Sequence, residues 1–154
     1  MKIDLHTHTT FSDGTMSPTE LVQHAIINGV TVLGLTDHDT VASWDEAIAA
    51  LRAELQLVLG AEISCLTEDH KSIHMLGLLF DRSYQPLQEV LEASRDDRAP
   101  RMKKMIELMA ADGIKITYEE VVAQKPEGAT LGRPHLADAL VAKNIVKSRD
   151  QAFA

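Results

Sequence analysis

Short apolar segments alternate with amphipathic segments through the first half of the chain. The apolar segments are KIDL (2–5), TVLGLT (31–36), LVLGAE (57–62) and IHMLGLLF (73–80), each bounded by polar residues or glycine. Apolar runs of this length are typical of strands that are covered on both faces. The pattern therefore predicts four β-strands.

The segments between the first three strands carry signals for the start of a helix. SPTELVQHAIING begins with Ser17 and has Glu20 three residues later, and SWDEAIAALRAEL repeats this spacing with Ser43 and Glu46. A serine followed three residues on by glutamate predicts a capping box. Because helices alternate with strands, we predict right-handed crossovers and a parallel sheet, which is an α/β fold.

Helical patterns dominate from residue 83 onward. QPLQEVLEASRDDRAPRMKKMIELMAADG predicts one long helix, or two helices that join near Pro100. Further capped helices are predicted to begin at Thr117 and Ser148, and RPHLADALVAKN is a third helical segment. We therefore divide the chain into 1–82, which carries the sheet, and 83–154, a helical segment inserted into the sheet-bearing part or appended to it.

Composition excludes several classes of protein. With 23 acidic and 15 basic residues the net charge is −8, which argues against a duplex DNA partner because that needs a broad basic face. A few local cations still suit a small phosphorylated substrate. The single cysteine excludes a disulfide framework within the chain, and no apolar run reaches the ~20 residues of a membrane span. We expect a cytoplasmic protein without membrane association.

Imidazole and carboxylate groups follow the predicted strands. Residues i and i+2 of a strand point to the same side, so His6 and His8 at the end of the first strand can share one space. The other strands contribute the residues Asp37, His38, Asp39, Glu62 and His74. Ligands gather at the carboxyl ends of parallel strands. This set suits zinc, manganese or iron, and a carboxylate such as Glu62 can bridge two ions.

Each of these residues also has a simpler explanation. A single histidine at a strand end is often a hydrogen-bonded structural residue, Asp39 can cap the helix that follows it, and Glu62 can be an ordinary exposed strand end. The joint pattern favours the metal hypothesis, because chance would have to place imidazole or carboxylate at the same end of four successive strands.

Five motifs together resemble a known family. DLHTHTTFSDG, LTDHDT, GAEIS, IHMLGL and GRPHLADAL are similar to motifs of the PHP (polymerase and histidinol phosphatase) metal-dependent phosphoesterases. Within that superfamily they most resemble stand-alone phosphatases that hydrolyse nucleoside 3′,5′-bisphosphates or trim RNA 5′ ends. The resemblance implies a distorted (β/α)7 barrel, a helical insertion over its mouth, and two or three divalent ions (Mn, Zn or Fe).

The resemblance also implies roles for individual residues. It makes His6, His8 and Glu62 ligands of one ion, places Asp13 and His38 on a second, and gives Glu62 and His74 a third or bridging ion. Asp13 or His38 is then the catalytic group that protonates the leaving oxygen, and Asp37 orients neighbouring imidazoles. The residues implied to face substrate phosphate are Arg98, Arg101, Arg133 and His135. The arginines of SRDDRAPR equally suit a solvated helix face, and RPH equally suits a helix start.

The chain departs from the family pattern at its end. The pattern continues with a histidine on a later strand and a final Asp-x-His pair, and a complete barrel needs on the order of 200 to 250 residues. We therefore expect a barrel truncated at its C-terminus, with an unpaired sheet edge and little activity. Two alternatives remain open: a phosphatase of the histidinol phosphate type, and a non-catalytic PHP module used as a scaffold.

Overall fold

A four-stranded mixed sheet forms the first half of the structure, a computed structural model that describes residues 1–153. The order is β1 (Ile3–Thr7), β2 (Val32–Leu35), β3 (Gln56–Leu66) and β4 (Ser72–Leu78). β1 pairs parallel with β2 and β2 parallel with β3, which confirms the pairing predicted for the first three strands. The fold is therefore of the mixed α/β type.

β4 runs antiparallel to β3, so the prediction that four strand ends share one side is wrong for the fourth strand. Residues 67–71 make a tight turn in which the Thr67 amide donates to the Lys71 carbonyl at 3.0 Å. A parallel neighbour needs a crossover of a dozen or more residues, which this connection is too short to supply. As a result His74 lies within β4, opposite Ser64 of β3, and not at a carboxyl end.

Six helices complete the described part of the chain. Helix α3 is continuous through Pro100, which decides between the one-helix and two-helix predictions. The capping boxes predicted at Ser17 and Thr117 are both confirmed, and the Ser148 hydroxyl accepts from the Gln151 amide at 3.3 Å. The helices are α1 (Pro18–Ile27), α2 (Trp44–Ala50), α3 (Gln85–Ala111), α4 (Tyr118–Val122), α5 (Arg133–Ala142) and α6 (Arg149–Phe153).

The capping box predicted at Ser43 is wrong. Ser43 makes no capping hydrogen bond, and its buried hydroxyl has no partner. The Glu46 carboxylate instead accepts from the Thr19 amide and hydroxyl, at 3.1 and 2.9 Å, and so joins α2 to α1. Because Thr19 uses the Glu46 carboxylate, that carboxylate is not available to complete a capping box with Ser43.

The two serines give a matched stability test. We expect Ser17→Ala to lower the free energy of unfolding by about 1 kcal/mol, since it removes a cap that the Glu20 amide uses. Ser43→Ala is expected to leave stability unchanged or slightly raised, because it removes an unpartnered buried hydroxyl. Urea unfolding of both variants measures the difference, and an equal loss for the two would contradict this assignment of the caps.

Two separate apolar clusters support the fold. The first contains β2 residues such as Leu33 and Leu35 with α1 and α2, and the second joins α3, α4 and α5 around Met102 and Val121. β1 is not covered on both faces as predicted, because Ile3 remains 49% exposed. Among the described helices none is both long enough and apolar enough to cross a bilayer.

Candidate metal centre

The chemistry-bearing residues of the sheet meet beside the ends of β1 and β2 and the interior of β3. The prediction that Glu62 ends the third strand is wrong, because β3 continues from Glu62 to Leu66, where it pairs with β4. His6 lies in β1 and His8 directly after it, and His38 follows β2 and forms an isolated parallel bridge with Glu62 of β3. His74 reaches the same place from β4, because the antiparallel register sets it beside the strand that carries Glu62. The sheet therefore brings together side chains that are up to 68 positions apart (residues 6 to 74).

The Glu62 carboxylate is the centre of this cluster. Its Oε2 atom lies 2.8 Å from His6 Nε2 and 3.0 Å from His8 Nε2. The same atom is 3.6 Å from His38 Nδ1, and Oε1 is 2.6 Å from His74 Nδ1. Burial by itself raises the pKa of the Glu62 carboxyl, but hydrogen bonding to His6 and His74 and the nearby His38 outweigh it and lower the pKa.

Asp13 forms the second acidic position. Its Oδ1 lies 3.5 Å from His8 Nδ1, and its Oδ2 lies 3.3 Å from His38 Nε2. Burial opposes ionisation, but hydrogen bonding to His38 and the charges of His38 and His8 prevail, so that the pKa of Asp13 falls to about 2. Both carboxylates of the cluster therefore favour the ionised form that binds cations.

The donor set fits divalent metal ions. Three overlapping groups have ligand atoms within 4.8 Å of one another: His6, His8 and Glu62; His8, Asp13 and His38; and His38, Glu62 and His74. His38 Nδ1 is buried and has no hydrogen-bond partner, which leaves a lone pair for an ion. Burial lowers the pKa of His8 and so favours its neutral, metal-binding form. Imidazole with carboxylate is a ligand set that suits zinc, manganese and iron.

Asp37 organises the loop between His8 and Gly14. Its fully buried carboxylate accepts from the Thr9 amide and hydroxyl at 2.7 and 2.8 Å, and from the Ser12 hydroxyl at 2.6 Å. The Ser12 hydroxyl lies 3.4 Å from His8 Nδ1, so hydrogen bonds link Asp37 to this imidazole through Ser12. A side chain at Gly14 would place its Cβ 2.3 Å from the His8 carbonyl oxygen, which explains the glycine in this tight loop.

Asp39 does not cap α2 as expected. It has a positive φ of 52°, a conformation that aspartate tolerates better than most residues, and its side chain is fully buried. The carboxylate accepts from the Ser64 amide at 2.7 Å and the Ser64 hydroxyl at 2.8 Å, and Arg98 also donates to it. Asp39 therefore joins β3 to α3 beside the metal cluster, the name used here for the candidate ligands His6, His8, Asp13, His38, Glu62 and His74.

A cavity of about 760 Å³ connects the metal cluster with the helical segment. Arg101 and Arg133 are exposed and line it from α3 and the start of α5. Arg98 also lines the cavity, but its side chain is only 13% exposed because it contacts Asp39. His135 is buried, its Nδ1 accepts from the Gly132 amide at 3.0 Å, and burial lowers its pKa.

The sequence interpretation missed several residues of this region. Ser64 lies two positions after Glu62, so strand periodicity alone places both on one face of β3. Thr9 and Ser12 carried a weaker signal, because hydroxyl residues in a loop are too common to single out. Lys104 and Phe153 also line the cavity, and only the tertiary fold brings them there.

Comparisons with known proteins agree with this geometry. The PHP domain family model matches residues 4–137. The chain is 40% identical over 153 residues to a 5′-3′ exoribonuclease of Haemophilus influenzae, covering 99% of this chain and 55% of that protein. It is 32% identical over 152 residues to a 3′,5′-nucleoside bisphosphate phosphatase of Chromobacterium violaceum, covering 98% of this chain and 53% of that protein.

A solved structure shares the fold. A Bifidobacterium adolescentis protein assigned as a metal-dependent phosphoesterase superposes with a TM-score of 0.88 at 43% identity, covering 99% of this chain and 54% of that one. The mixed sheet and its cluster of imidazoles and carboxylates define a class of α/β domains built to hold divalent metal ions. The chain belongs to the PHP domain family. It spans about half the length of the relatives it matches.

Proposed function

We propose that this chain forms the metal-binding part of a hydrolase that cleaves phosphate monoesters of small nucleotides, such as nucleoside 3′,5′-bisphosphates or short RNA 5′ ends. The observation that carries the proposal is the convergence of four imidazoles on the Glu62 carboxylate, beside a cavity lined by exposed arginines. The relatives named as an exoribonuclease and a bisphosphate phosphatase support the choice of substrate class.

The three overlapping groups would hold two or three ions. His6, His8 and Glu62 make the first position, Asp13 with His38 the second, and Glu62 with His74 the third or a bridge. Bound divalent ions would lower the pKa of a coordinated water molecule to about 7 and would neutralise negative charge on the phosphate oxygens. Manganese, zinc and iron all suit this mixture of nitrogen and oxygen ligands.

The protein side chains supply proton transfer and orientation. Proton transfer would fall to Asp13 or His38. Asp13 has two carboxylate oxygens and His38 has two ring nitrogens, so one atom of either side chain could bind an ion while the other moves a proton to the oxygen that leaves phosphorus. Asp37 fixes the loop that carries Asp13 and, through Ser12, the ring of His8. No side-chain nucleophile is required by this scheme.

Arginines on the helical wall of the cavity would recognise the substrate. Guanidinium groups bind phosphate through two parallel hydrogen bonds, so Arg101 and Arg133 can hold a second phosphate away from the one being cleaved. His135 lies at the same helix start as Arg133, and its bond to the Gly132 amide supports that turn. This arrangement favours substrates with two phosphates over substrates with one.

For the whole protein we propose a distorted (β/α)7 barrel in which further strands pair with the edges at β1 and β4. The support is that β1 and β4 are the two edges of the four-stranded sheet, and that the chain spans about half the length of its relatives. By themselves, the 154 residues are expected to bind metal and to hydrolyse substrate slowly or not at all.

Phosphate release and metal binding test the proposal together. Manganese-loaded full-length gene product is expected to release phosphate from adenosine 3′,5′-bisphosphate faster than from histidinol phosphate. His8→Ala is expected to lower this rate by about 1,000-fold or more, since it removes a residue shared by two ligand groups. His24→Ala, on α1 and outside the cavity, is the matched control and should retain the full rate.

Other outcomes separate the alternatives. Faster release from histidinol phosphate would indicate a phosphatase of that type. Metal binding without turnover of either compound would support a scaffold, and the absence of any divalent metal binding would reject the proposal.

A further inference from the structure

Arg98 of α3 contacts three separate segments of the chain. Its Nε and Nη2 atoms donate to Asp39 Oδ2 at 2.9 and 2.5 Å, and Nη2 also donates to the Ser64 hydroxyl at 2.9 Å. Nη1 donates to the Leu131 carbonyl at 3.0 Å. Four of the five N–H groups of the guanidinium therefore have protein acceptors, which leaves little of it for a ligand.

The acceptors of Arg98 are each adjacent to residues of the site. Asp39 directly follows His38, and Ser64 lies two residues after Glu62 on the same face of β3. Leu131 precedes the turn that begins α5 at Arg133. A shift of Arg98 would therefore displace residues next to His38 and Glu62 and, at the same time, the turn that carries Arg133.

Polar contacts join the helical segment to the sheet at this junction. The two apolar clusters have no residue in common, although Leu91 of α3 is also fully buried, so these polar contacts matter for the relative position of the two parts. The polar contacts across this junction include Arg95 Nη1 to the Asp39 carbonyl at 2.6 Å, and the Thr130 amide to the Phe11 carbonyl at 2.9 Å. Among these, only Arg98 with Asp39 is a buried ion pair.

We infer that Arg98 and Asp39 are positioning residues, which hold α3 and the start of α5 over the metal cluster so that Arg101 and Arg133 face the bound phosphate. Arg98 is not itself a phosphate ligand. This inference rests on the proposed function. Arginine is required at position 98 because its planar fork reaches Asp39, Ser64 and Leu131 together, whereas lysine offers one point charge.

Arg98→Lys tests the inference, and Arg101→Lys is its matched control. Arg101 lies one turn further along α3, faces the cavity, and has only a 4.0 Å contact to Asp97. Three quantities are measured for both variants in the 154-residue chain: amide hydrogen exchange of residues 129–135, the affinity for Mn²⁺, and the affinity of the Mn²⁺-loaded chain for inorganic phosphate.

For Arg98→Lys we expect exchange of residues 129–135 to rise about tenfold, because a local opening becomes easier. Phosphate affinity should also fall about tenfold, while Mn²⁺ affinity stays within about threefold, since the metal ligands keep their places on the sheet. Arg101→Lys should lower phosphate affinity without any change in exchange. The two arginines thus give different signatures if one positions and the other binds.

Two results would overturn the inference. Loss of phosphate affinity in Arg98→Lys with unchanged exchange would make Arg98 a direct ligand, and raised exchange with unchanged phosphate affinity would make the contact a purely structural one. If Arg98→Lys unfolds, Ser64→Ala removes one of the contacts and keeps the ion pair, and it should show the same two changes at smaller size. If the unsubstituted chain binds neither metal nor phosphate, the proposed function fails, and the exchange data alone then test the positioning contact.

Discussion

Replacing Glu62 by glutamine is expected to lower the affinity for Mn²⁺ by about 100-fold or more, since a direct ligand should matter at least as much as its supporting residues. Glutamine keeps the shape of the side chain and removes its negative charge. Glu62 belongs to two of the three ligand groups, and His6, His8 and His74 all lie within 3.0 Å of its oxygens. Among residues 1–153, no other carboxylate belongs to two of these ligand groups.

Isothermal titration with Mn²⁺ measures this change. Glu46→Gln is the matched control, because Glu46 is also a carboxylate that accepts protein hydrogen bonds, but it joins α1 to α2 away from the cavity. The control should bind Mn²⁺ like the unsubstituted chain. Unchanged affinity in Glu62→Gln would show that the imidazoles meet for a structural reason, and the metal hypothesis would fail.

The sequence allowed the first three strands and the convergence of their histidine and carboxylate side chains to be predicted for a clear reason. Strand period, helix caps and crossover handedness are local or nearly local rules, and together they bring the ends of β1, β2 and β3 to one side. The parallel pairing of these strands then brings together four of the side chains, those of His6, His8, His38 and Glu62.

The fourth strand shows where these rules fail. An apolar run such as IHMLGLLF has no direction of its own, and we extended the parallel pattern to it. The length of the preceding connection argues against a parallel strand. Ten residues separate the predicted strands and five separate the observed ones, and both lengths are shorter than the dozen that a crossover needs. His74 still reaches Glu62, but by cross-strand pairing and not by a shared strand end.

Side-chain partners were harder to predict than strands. Asp39 was expected to cap the helix that follows it because anionic residues favour helix N-termini, yet Ser64 and Arg98 use its carboxylate in the interior. Likewise the role of Arg98 depends on Leu131, which lies 33 positions away. The hydrogen-bond partner of such a side chain depends on which polar groups are buried next to it in the folded protein. Neighbouring residues in the sequence do not reveal those groups.

Replacing Asp37 by alanine is expected to lower the free energy of unfolding by about 2 to 4 kcal/mol, because hydrogen bonds to a buried charged group are strong and their donors lose their partner. Asp37 is fully buried and accepts from the Thr9 amide and hydroxyl and from the Ser12 hydroxyl. The same bonds hold the loop that carries Asp13. The variant should therefore also bind fewer metal ions per chain.

Urea unfolding and equilibrium dialysis with Mn²⁺ measure the two effects of Asp37→Ala. Asp45→Ala is the matched control: Asp45 is 74% exposed and pairs with Arg82 at the surface, so its loss should cost less than about 1 kcal/mol and leave the metal content unchanged. Full stability with full metal content in Asp37→Ala would show that the loop is held by other contacts. Lower stability with full metal content would show that Asp37 stabilises the fold but is not needed to position Asp13.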